Sequence, residues 1–403
     1  AIAIATSKSP DVAIAGENAA IADDKIADTK SKRYPSLKAD GGAERWNGAP
    51  TFMGFTLHEK VTTNVNVTLM EPLTGLGALS ELVGATEHSA TAAHADVDKA
   101  RLDAAYRAAA AYLHALAART AADVAHKTVA QIQGELERAE KLRAADQYND
   151  IDVLRFKSAK AAADQAAVRA DAARDGSLAA LVVALGLHDG ESIDVVDDLP
   201  PAPPAIAMSI EQSQDRALGA RPELKAARER IAAANDSRKA AYSGYFPDIR
   251  ALAQYQHASG SPFQPNDQGF VGVSLSWTLW DWGSTRDGVR TAEHQQRAAE
   301  IGADALVDQV RLDVRQRWLD AKAGYDNLAA AATQLEAAEE AYRLQQVRFD
   351  AAAATATDVL DAETDVARAR LAATNARYDY FVALVALARS VGDLPGANGA
   401  ATR

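Results

Sequence analysis

The feature that most constrains this chain is an internal duplication, because a repeated order of motifs predicts a repeated order of structural elements. Asp152-Val153-Leu154 recurs 206 residues later as Asp358-Val359-Leu360. Other pairs keep the same spacing: Val67 and Val273, Leu69 and Leu275, Leu181 and Leu387, Gly186 and Gly392. Matches that hold one register over so long a span indicate two copies of one structural unit.

Each copy is predicted to contain a helix of moderate length, two short strands, a very long helix, a sharp break and a returning helix. The first repeat covers 1–188, with strands at about 36–46 and 61–71 and a hairpin tip at 144–152. The second repeat covers 209–392, with strands at about 248–257 and 270–279 and a tip at 349–358. A C-terminal tail, 393–403, follows.

The segment 189–208 between the repeats contains the proline-rich run Leu199-Pro200-Pro201-Ala202-Pro203-Pro204. Proline fixes φ and lacks a backbone donor. The segment is therefore predicted to be an extended linker.

The long helices carry residues at alternating steps of four and three, a spacing that buries one seam against an antiparallel neighbour. In the second copy this seam reads Val314, Trp318, Ala321, Tyr325, Leu328, Ala332, Leu335, Glu339 and Tyr342. The long helix of the first copy, from about Leu79 to about Ala145, would be roughly 100 Å long at ~1.5 Å per residue. Such a length suits a protein that spans a gap better than a compact enzyme.

The four strands alternate apolar and polar residues, and each is about as long as a tilted transmembrane strand of ~10 residues. The apolar faces include Val65, Val67, Leu69, Val271, Val273 and Leu275. The opposite faces are predicted to line a polar lumen with Lys38, Asp40, Asn64, Asn66, Thr68, Arg250, Gln254, Ser274 and Ser276.

Four strands cannot close a membrane barrel, because the smallest such barrels have ~8 strands. Three copies would supply twelve and would leave no open edge in lipid. Strands are also the only predicted route across a membrane, since no window reaches the ~18 consecutive apolar residues that a spanning helix needs. The alternative is a soluble helical scaffold or adaptor protein that carries two surface β-hairpins.

The composition argues against a catalytic site, a metal site or nucleic-acid binding in this chain. It has no cysteine, and its eight histidines show no metal-ligand spacing, so neither a thiol site nor a metal site is expected. The net charge of −12, with basic and acidic residues interleaved, argues against nucleic acid as a partner. No catalytic motif is present, and the expectation is a protein that is not an enzyme and uses no cofactor.

Four stretches resemble the TolC outer-membrane efflux family, the outer membrane factors of tripartite efflux and type I secretion systems. They are the segment from Thr357 to Phe381, Arg221-Pro222-Glu223-Leu224, Tyr245-Phe246-Pro247 and Leu279-Trp280-Asp281-Trp282-Gly283. The duplicated order of these motifs is similar to that family as well. The resemblance covers nearly the whole chain.

The resemblance implies a mainly α-helical fold with a membrane β-barrel part: a homotrimer whose 12-stranded barrel continues into an α-helical periplasmic tunnel. It implies a location in the outer membrane of a Gram-negative bacterium, in contact with outer-membrane lipid and extending into the periplasm. The function implied is a passive exit duct for small molecules or polypeptides. Its partners would be a periplasmic adaptor (membrane fusion) protein and an inner-membrane RND or ABC transporter.

The resemblance also implies that the two hairpin tips form the periplasmic entrance. The implied gate residues are Asp152, Arg348, Phe349, Asp358 and Asp361. The implied adaptor contacts are Ala145, Asp146, Gln147, Tyr148, Asn149, Ala353, Ala354 and Thr355. From the sequence alone, Asp152 and Asp358 are equally well explained as N-caps or first-turn acids of the returning helices, and the two roles can coexist.

Overall fold

The computed structural model describes residues 1–145, 149–188, 191, 193–261, 264–351 and 353–393. The helices are α1 (Ile2–Lys8), α2 (Pro10–Ser31), α3 (Leu76–Ala144), α4 (Asp150–Ala184), α5 (Ile210–Ala220), α6 (Pro222–Ala241), α7 (Ser284–Asp350) and α8 (Ala356–Val391). The strands are β1 (Ser36–Arg45), β2 (Thr51–Phe52), β3 (Phe55–Thr56), β4 (Val61–Pro72), β5 (Asp248–Ser259) and β6 (Asp267–Ser276). A short 3-10 turn, Tyr242–Tyr245, precedes β5.

Helices of the two copies end in similar ways. α1 ends at Lys8 and α5 at Ala220, and the next residues, Ser9 and Arg221, are extended, with ψ of 127° and 124°. Each precedes a proline, which disfavours helical geometry in the residue before it. α4 and α8 each run into a glycine with positive φ, Gly186 at +70° and Gly392 at +83°. A left-handed glycine is a common helix stop, so equivalent residues end equivalent helices.

The buried seam of α7 follows the predicted stripe with a shift of one residue near its middle. It contains Val314, Trp318, Ala321, Leu328, Ala331, Leu335, Ala338 and Tyr342, each buried or half-buried. Tyr325, Ala332 and Glu339, predicted to lie in the seam, are exposed. Val314, Ala321, Leu328, Leu335 and Tyr342 keep the predicted seven-residue spacing, and among the positions between them only those after Ala321 move to the preceding residue.

The described chain divides into two compact units, and each unit draws residues from both predicted repeats. The first unit contains Ala1–Ala15, Val97–Pro222 and Leu306–Arg403. The second contains Gly16–Asp96 and Glu223–Ala305.

The first unit has a helical core in which Leu116, Leu181, Tyr378 and Phe381 are buried together. Residues 193–208 contain neither helix nor strand. Aromatic side chains bind this segment to the helices: Tyr112 Oη donates to the Val196 carbonyl at 2.5 Å, Tyr380 Oη to the Pro204 carbonyl at 2.5 Å, and Trp318 Nε1 to the Met208 carbonyl at 2.9 Å.

The second unit contains an antiparallel four-stranded sheet in the order β1-β4-β5-β6. The register pairs Lys38 with Thr68, Thr68 with Gln254, and Gln254 with Phe270. A separate hairpin of two-residue strands, β2 with β3, lies inside the segment between β1 and β4. Met53 (φ 48°) and Gly54 (φ 86°) form its turn.

The fourth strand of the sheet differs from its prediction. It was expected at about 270–279, but β6 begins at Asp267 and ends at Ser276. Pairing extends toward the loop because Tyr255 Oη donates to Asp267 Oδ1 at 2.6 Å. At the other end the chain leaves the sheet, where Trp277 Nε1 donates to the Tyr245 carbonyl at 3.3 Å.

Candidate functional site

The residues predicted to line a lumen share one face of the sheet. Residues paired directly across antiparallel strands point to the same side, and residues two apart on a strand do so as well. The direct pairs among them are Lys38 with Thr68, Thr68 with Gln254, Asp40 with Asn66, and Arg250 with Ser274. Asn64 and Ser276 follow Asn66 and Ser274 at steps of two. All nine residues therefore lie on the polar face, as their alternation indicates.

This polar face carries charges of both signs. Asn66 Nδ2 donates to Asp40 Oδ2 at 3.2 Å, and Lys38 Nζ lies 3.8 Å from Asp40 Oδ1. The register also puts apolar residues on this face, among them Met70, Leu252 and Phe270. The face is thus mixed, without a single dominant charge.

The opposite face of the sheet exposes aliphatic side chains. Val271 is 86% exposed, Leu37 71%, Val273 67% and Leu275 63%. A continuous apolar surface of this kind is unusual on a soluble monomer and indicates a lipid or protein neighbour. Exposed aromatic residues flank the strands where they join the helical segments: Tyr34, Phe246, Trp280 and Trp282. Aromatic side chains at strand ends are typical of membrane–water boundaries.

Both outer strands of the sheet are open. Within the described residues, β1 pairs only with β4 and β6 pairs only with β5. Each outer strand therefore presents backbone donors and acceptors that have no partner in a single copy.

The first hairpin tip lies between the end of α3 and the start of α4. Asn149 is the N-cap of α4, since its Oδ1 accepts from the Asp152 amide at 3.0 Å. Asp152 is a first-turn acid rather than the cap, and its carboxylate lies 3.6 Å from Arg155 Nη1. Ala145 and Asn149 are exposed. The other three predicted adaptor contacts of this tip, Asp146, Gln147 and Tyr148, lie outside the described residues.

The second hairpin tip is closed by a capping box at the start of α8. The Thr355 amide and its hydroxyl both donate to Asp358 Oδ2 at 2.8 Å, and the Asp358 amide donates to Thr355 Oγ1 at 3.3 Å. The Thr355 amide holds the pKa of Asp358 below its usual value, helped by the Thr355 hydroxyl and the charge of Arg348. Asp358 thus acts structurally as part of the cap, and Asp361, one turn later, is exposed.

Arg348 binds within its own hairpin. Its Nη2 donates to the Ala353 carbonyl at 3.3 Å, and its Nη1 contacts Gln345 Oε1 at 3.4 Å. Ala353 is exposed and Ala354 is half-buried. In a single chain the guanidinium therefore stabilises the turn between α7 and α8.

Phe349 lies in the core that joins the two hairpins. It is 1% exposed, and its ring meets the ring of Phe156 edge-on, with centroids 6.0 Å apart. The surrounding buried cluster contains Leu136, Ala139, Val153, Tyr342, Ala356, Val359 and Val366. Phe349, expected among the gate residues, holds the tips through packing and does not expose its ring.

Polar contacts between the hairpins, among them the following two, were not predicted. Arg155 Nη1 on α4 donates to Thr357 Oγ1 on α8 at 3.0 Å, and Arg138 Nη1 on α3 lies 3.3 Å from Asp350 Oδ1 on α7. The spacing of Asp152 and Arg155 suggests a contact within one helix. Nothing in the sequence indicates which side chain of the other hairpin Arg155 reaches.

No helix among the described residues has an apolar stretch long enough to cross a membrane. The same residues contain no group of three or more histidine, aspartate or glutamate side chains arranged to hold a metal ion.

Comparison with known proteins identifies the family. The chain matches the family described as "Outer membrane efflux protein" over residues 1–187 and 214–393. It is 24% identical to the outer membrane efflux protein BepC of Brucella suis biovar 1 over 384 residues, which cover 92% of this chain and 80% of BepC. It is 29% identical to the outer membrane protein TolC of Vibrio cholerae over 192 residues, or 46% of this chain and 43% of TolC.

Solved structures show the same fold. The outer-membrane channel OprN superposes with a TM-score of 0.83 at 21% identity, covering 97% of this chain and 88% of OprN. The outer membrane protein VceC of Vibrio cholerae superposes with a TM-score of 0.80 at 20% identity, covering 98% of this chain and 95% of VceC. These matches confirm the predicted combination of a helical tunnel with a barrel sheet.

The soluble scaffold that the sequence left as an alternative finds no support in these relatives. The predicted outer-membrane location and the predicted role as an efflux duct are confirmed. The chain belongs to the outer membrane efflux protein family and is an efflux channel of the Gram-negative outer membrane.

Proposed function

We propose that three copies of this chain close into one duct, each contributing the strands β1, β4, β5 and β6 to a 12-stranded barrel. The observation that carries this proposal is the sheet itself, with one polar face, one exposed aliphatic face and two open edges. Lipid cannot hydrogen-bond the unpaired backbone groups of an open edge, so such a sheet needs strand partners on both sides. Neighbouring copies supply them.

The duct acts without chemistry of its own. Members of this family work with adaptors and inner-membrane pumps in tripartite systems. For this chain we propose a periplasmic adaptor and an RND or ABC transporter as the partners. The mixed charge of the sheet's polar face supports a passive conduit, in which the pump determines the cargo.

The hairpin tips are the proposed periplasmic entrance and adaptor contact. Support comes from how the tips are built: a shared aromatic core links the hairpins, and the polar contacts between them include Arg155 with Thr357, Arg138 with Asp350 and Gln346 with Glu135. These contacts are made by side chains of two separate helical hairpins, so they can break without unfolding either hairpin, which suits a part that must open. The exposed turn residues Ala145, Asn149, Ala353 and Thr355 are the proposed docking positions for the adaptor.

Three copies of Asp358 and Asp361 around a three-fold axis would form negative rings that favour cations. Replacing both residues, Asp358→Asn with Asp361→Asn, is expected to reduce block of single-channel current by multivalent cations. The matched control is Asp171→Asn with Asp175→Asn, an equal charge change in α4, where both carboxylates pair with Arg174. Unchanged block in the double variant would count against the rings.

The assembly is tested by the mass and conductance of the detergent-purified chain. A complex of three chains that forms uniform channels in planar bilayers is the expected result. A monodisperse single chain that stays folded without detergent would overturn the proposal.

A further inference from the structure

A glutamate occupies a core position on α8. Ala356, Val359, Glu363 and Val366 follow one another at steps of three and four, and all are buried. Glu363 is only 2% exposed. Among the described residues, neither oxygen of its carboxyl group receives a well-formed hydrogen bond. A buried, poorly paired carboxylate is costly when ionised, so a glutamate at this position, where the neighbouring seam residues are apolar, calls for an explanation.

A second buried acid faces it from another helix. Glu135 on α3 is 5% exposed, and its Oε1 accepts from Gln346 Nε2 on α7 at 2.9 Å. Arg138 Nη1 lies 3.5 Å from the other oxygen of Glu135. Two carboxylates close together in a water-poor interior disfavour simultaneous ionisation. Glu135 has two polar partners, Gln346 and Arg138, whereas neither oxygen of Glu363 has a well-formed hydrogen bond among the described residues, so ionisation is the more costly at Glu363.

The remaining groups around Glu363 do not provide a full counter-charge. The Tyr342 hydroxyl on α7 faces the carboxyl. Arg370 on α8 acts on it only from a distance, because its guanidinium binds Glu339 at 3.0 Å and Gln131 at 3.0 Å. α4 adds the apolar Val153 and Phe156 to the neighbouring cluster, and the lysines beyond them pair elsewhere, Lys157 with Glu140 and Lys160 with Asp164.

Burial accordingly raises the pKa of Glu363, and the charge of Glu135 raises it further, while Tyr342 and Arg370 lower it. If α8 separates from α3 and α7, water reaches the carboxyl and its pKa returns toward the ordinary value. The packed helices therefore bind a proton that the separated helices release. Packing is fully favoured below the ordinary glutamate pKa, and the advantage is lost as pH rises through the raised value.

We propose that Glu363 is a proton-dependent switch: its neutral form lets α8 pack against α3 and α7, and its ionisation favours separation of the helices, so that acid stabilises the closed tips. The proposal deepens the proposed entrance at the hairpin tips and rests on it. The packing equilibrium itself can be measured whether or not the protein conducts.

The test uses a single thiol, which this cysteine-free chain permits. Val359→Cys puts the thiol in the fully buried cluster beside Glu363. Its rate of labelling by N-ethylmaleimide reports separation of the helices in the full-length, detergent-purified protein. Rates are compared between this background and the same background with Glu363→Gln, at each pH from 5 to 8, so that ionisation of the thiol cancels in the ratio.

The quantity compared is the labelling rate with Glu363 present divided by the rate in the Glu363→Gln variant. This ratio is expected to be near one at acidic pH and to rise with pH, by up to about tenfold for each unit by which burial raises the pKa of Glu363. Asp365→Asn is the matched control, because Asp365 is an exposed acid on the same helix and pairs with Arg368. Its labelling rate should equal that of the Val359→Cys background at every pH. A second variant, Glu135→Gln, removes the facing charge and should slow labelling at pH 8 while leaving pH 5 unaffected. A ratio that stays at one over the whole range, with Glu135→Gln also without effect, would overturn the switch.

Discussion

Replacing Phe349 by alanine is expected to loosen the hairpin tips without unfolding the protein. The ring is fully buried and meets Phe156 edge-on, so the change removes the aromatic contact between α7 and α4. Truncating a buried phenylalanine costs about 3–5 kcal/mol, of which roughly 0.5–1.5 kcal/mol belongs to the ring pair. Since each 1.4 kcal/mol is about a factor of ten, the population of separated tips should rise at least about a hundredfold.

Hydrogen–deuterium exchange on the assembled protein measures this directly. Amides at the start of α4 and α8 should lose protection in Phe349→Ala, because these first turns contribute Val153, Phe156, Ala356 and Val359 to the same cluster. The strands of the second unit should keep their protection. Single-channel recordings should show more frequent open events in the same variant.

The matched control is Leu344→Ala on the same helix. Leu344 is 48% exposed in the single chain, so its truncation should change local stability by only about 0.5 kcal/mol. Equal loss of protection in both variants, or no loss in Phe349→Ala, would refute the argument that the aromatic pair holds the tips together.

Three further outcomes are expected. Arg155→Ala and Thr357→Val should each weaken the tips by about 1 kcal/mol or less, because the contact is exposed, and a double-mutant cycle should show that their effects are not additive. Val273→Arg should destabilise the membrane-inserted protein by about 2–4 kcal/mol in a refolding titration, whereas Ser274→Arg on the opposite face should be tolerated. Since the pKa of Asp358 is lowered, its cap stabilises α8 above the ordinary carboxyl pKa and is lost as pH falls through the lowered value, which amide exchange at Thr355 and Asp358 should detect as fraying in strong acid.

The repeat and the strand alternation carried most of the fold prediction, because both are properties of residue order. Val67 and Val273 share a spacing, and their strands β4 and β6 share a sheet. The alternation was enough to assign Lys38, Asn66 and Gln254 to one face before any register was known. The end of β6 was harder to predict, since Trp277 and Leu279 continue the apolar pattern after the backbone has left the sheet.

The contacts at the hairpin tips were harder to predict from the sequence. Asp358 was recognisable as a helix-start acid because Thr355 precedes it by three residues, the spacing of a capping box. The partner of Arg155, the burial of Phe349 and the meeting of Glu135 with Glu363 all depend on how one hairpin packs on another. Local periodicity contains no information on such contacts between distant segments.

The two open strands of the sheet have a consequence for how the proposed ring forms. A single copy has two unpaired edges, and joining a second copy buries one edge of each while leaving two at the ends. The number of exposed edges falls to zero only when the last copy closes the circle. Most of the free energy gained by pairing the strand edges therefore arrives in the final step, so intermediates of one or two copies should be sparse. A weakened β1 or β6 should reduce the yield of complete rings far more than it lowers their stability once closed.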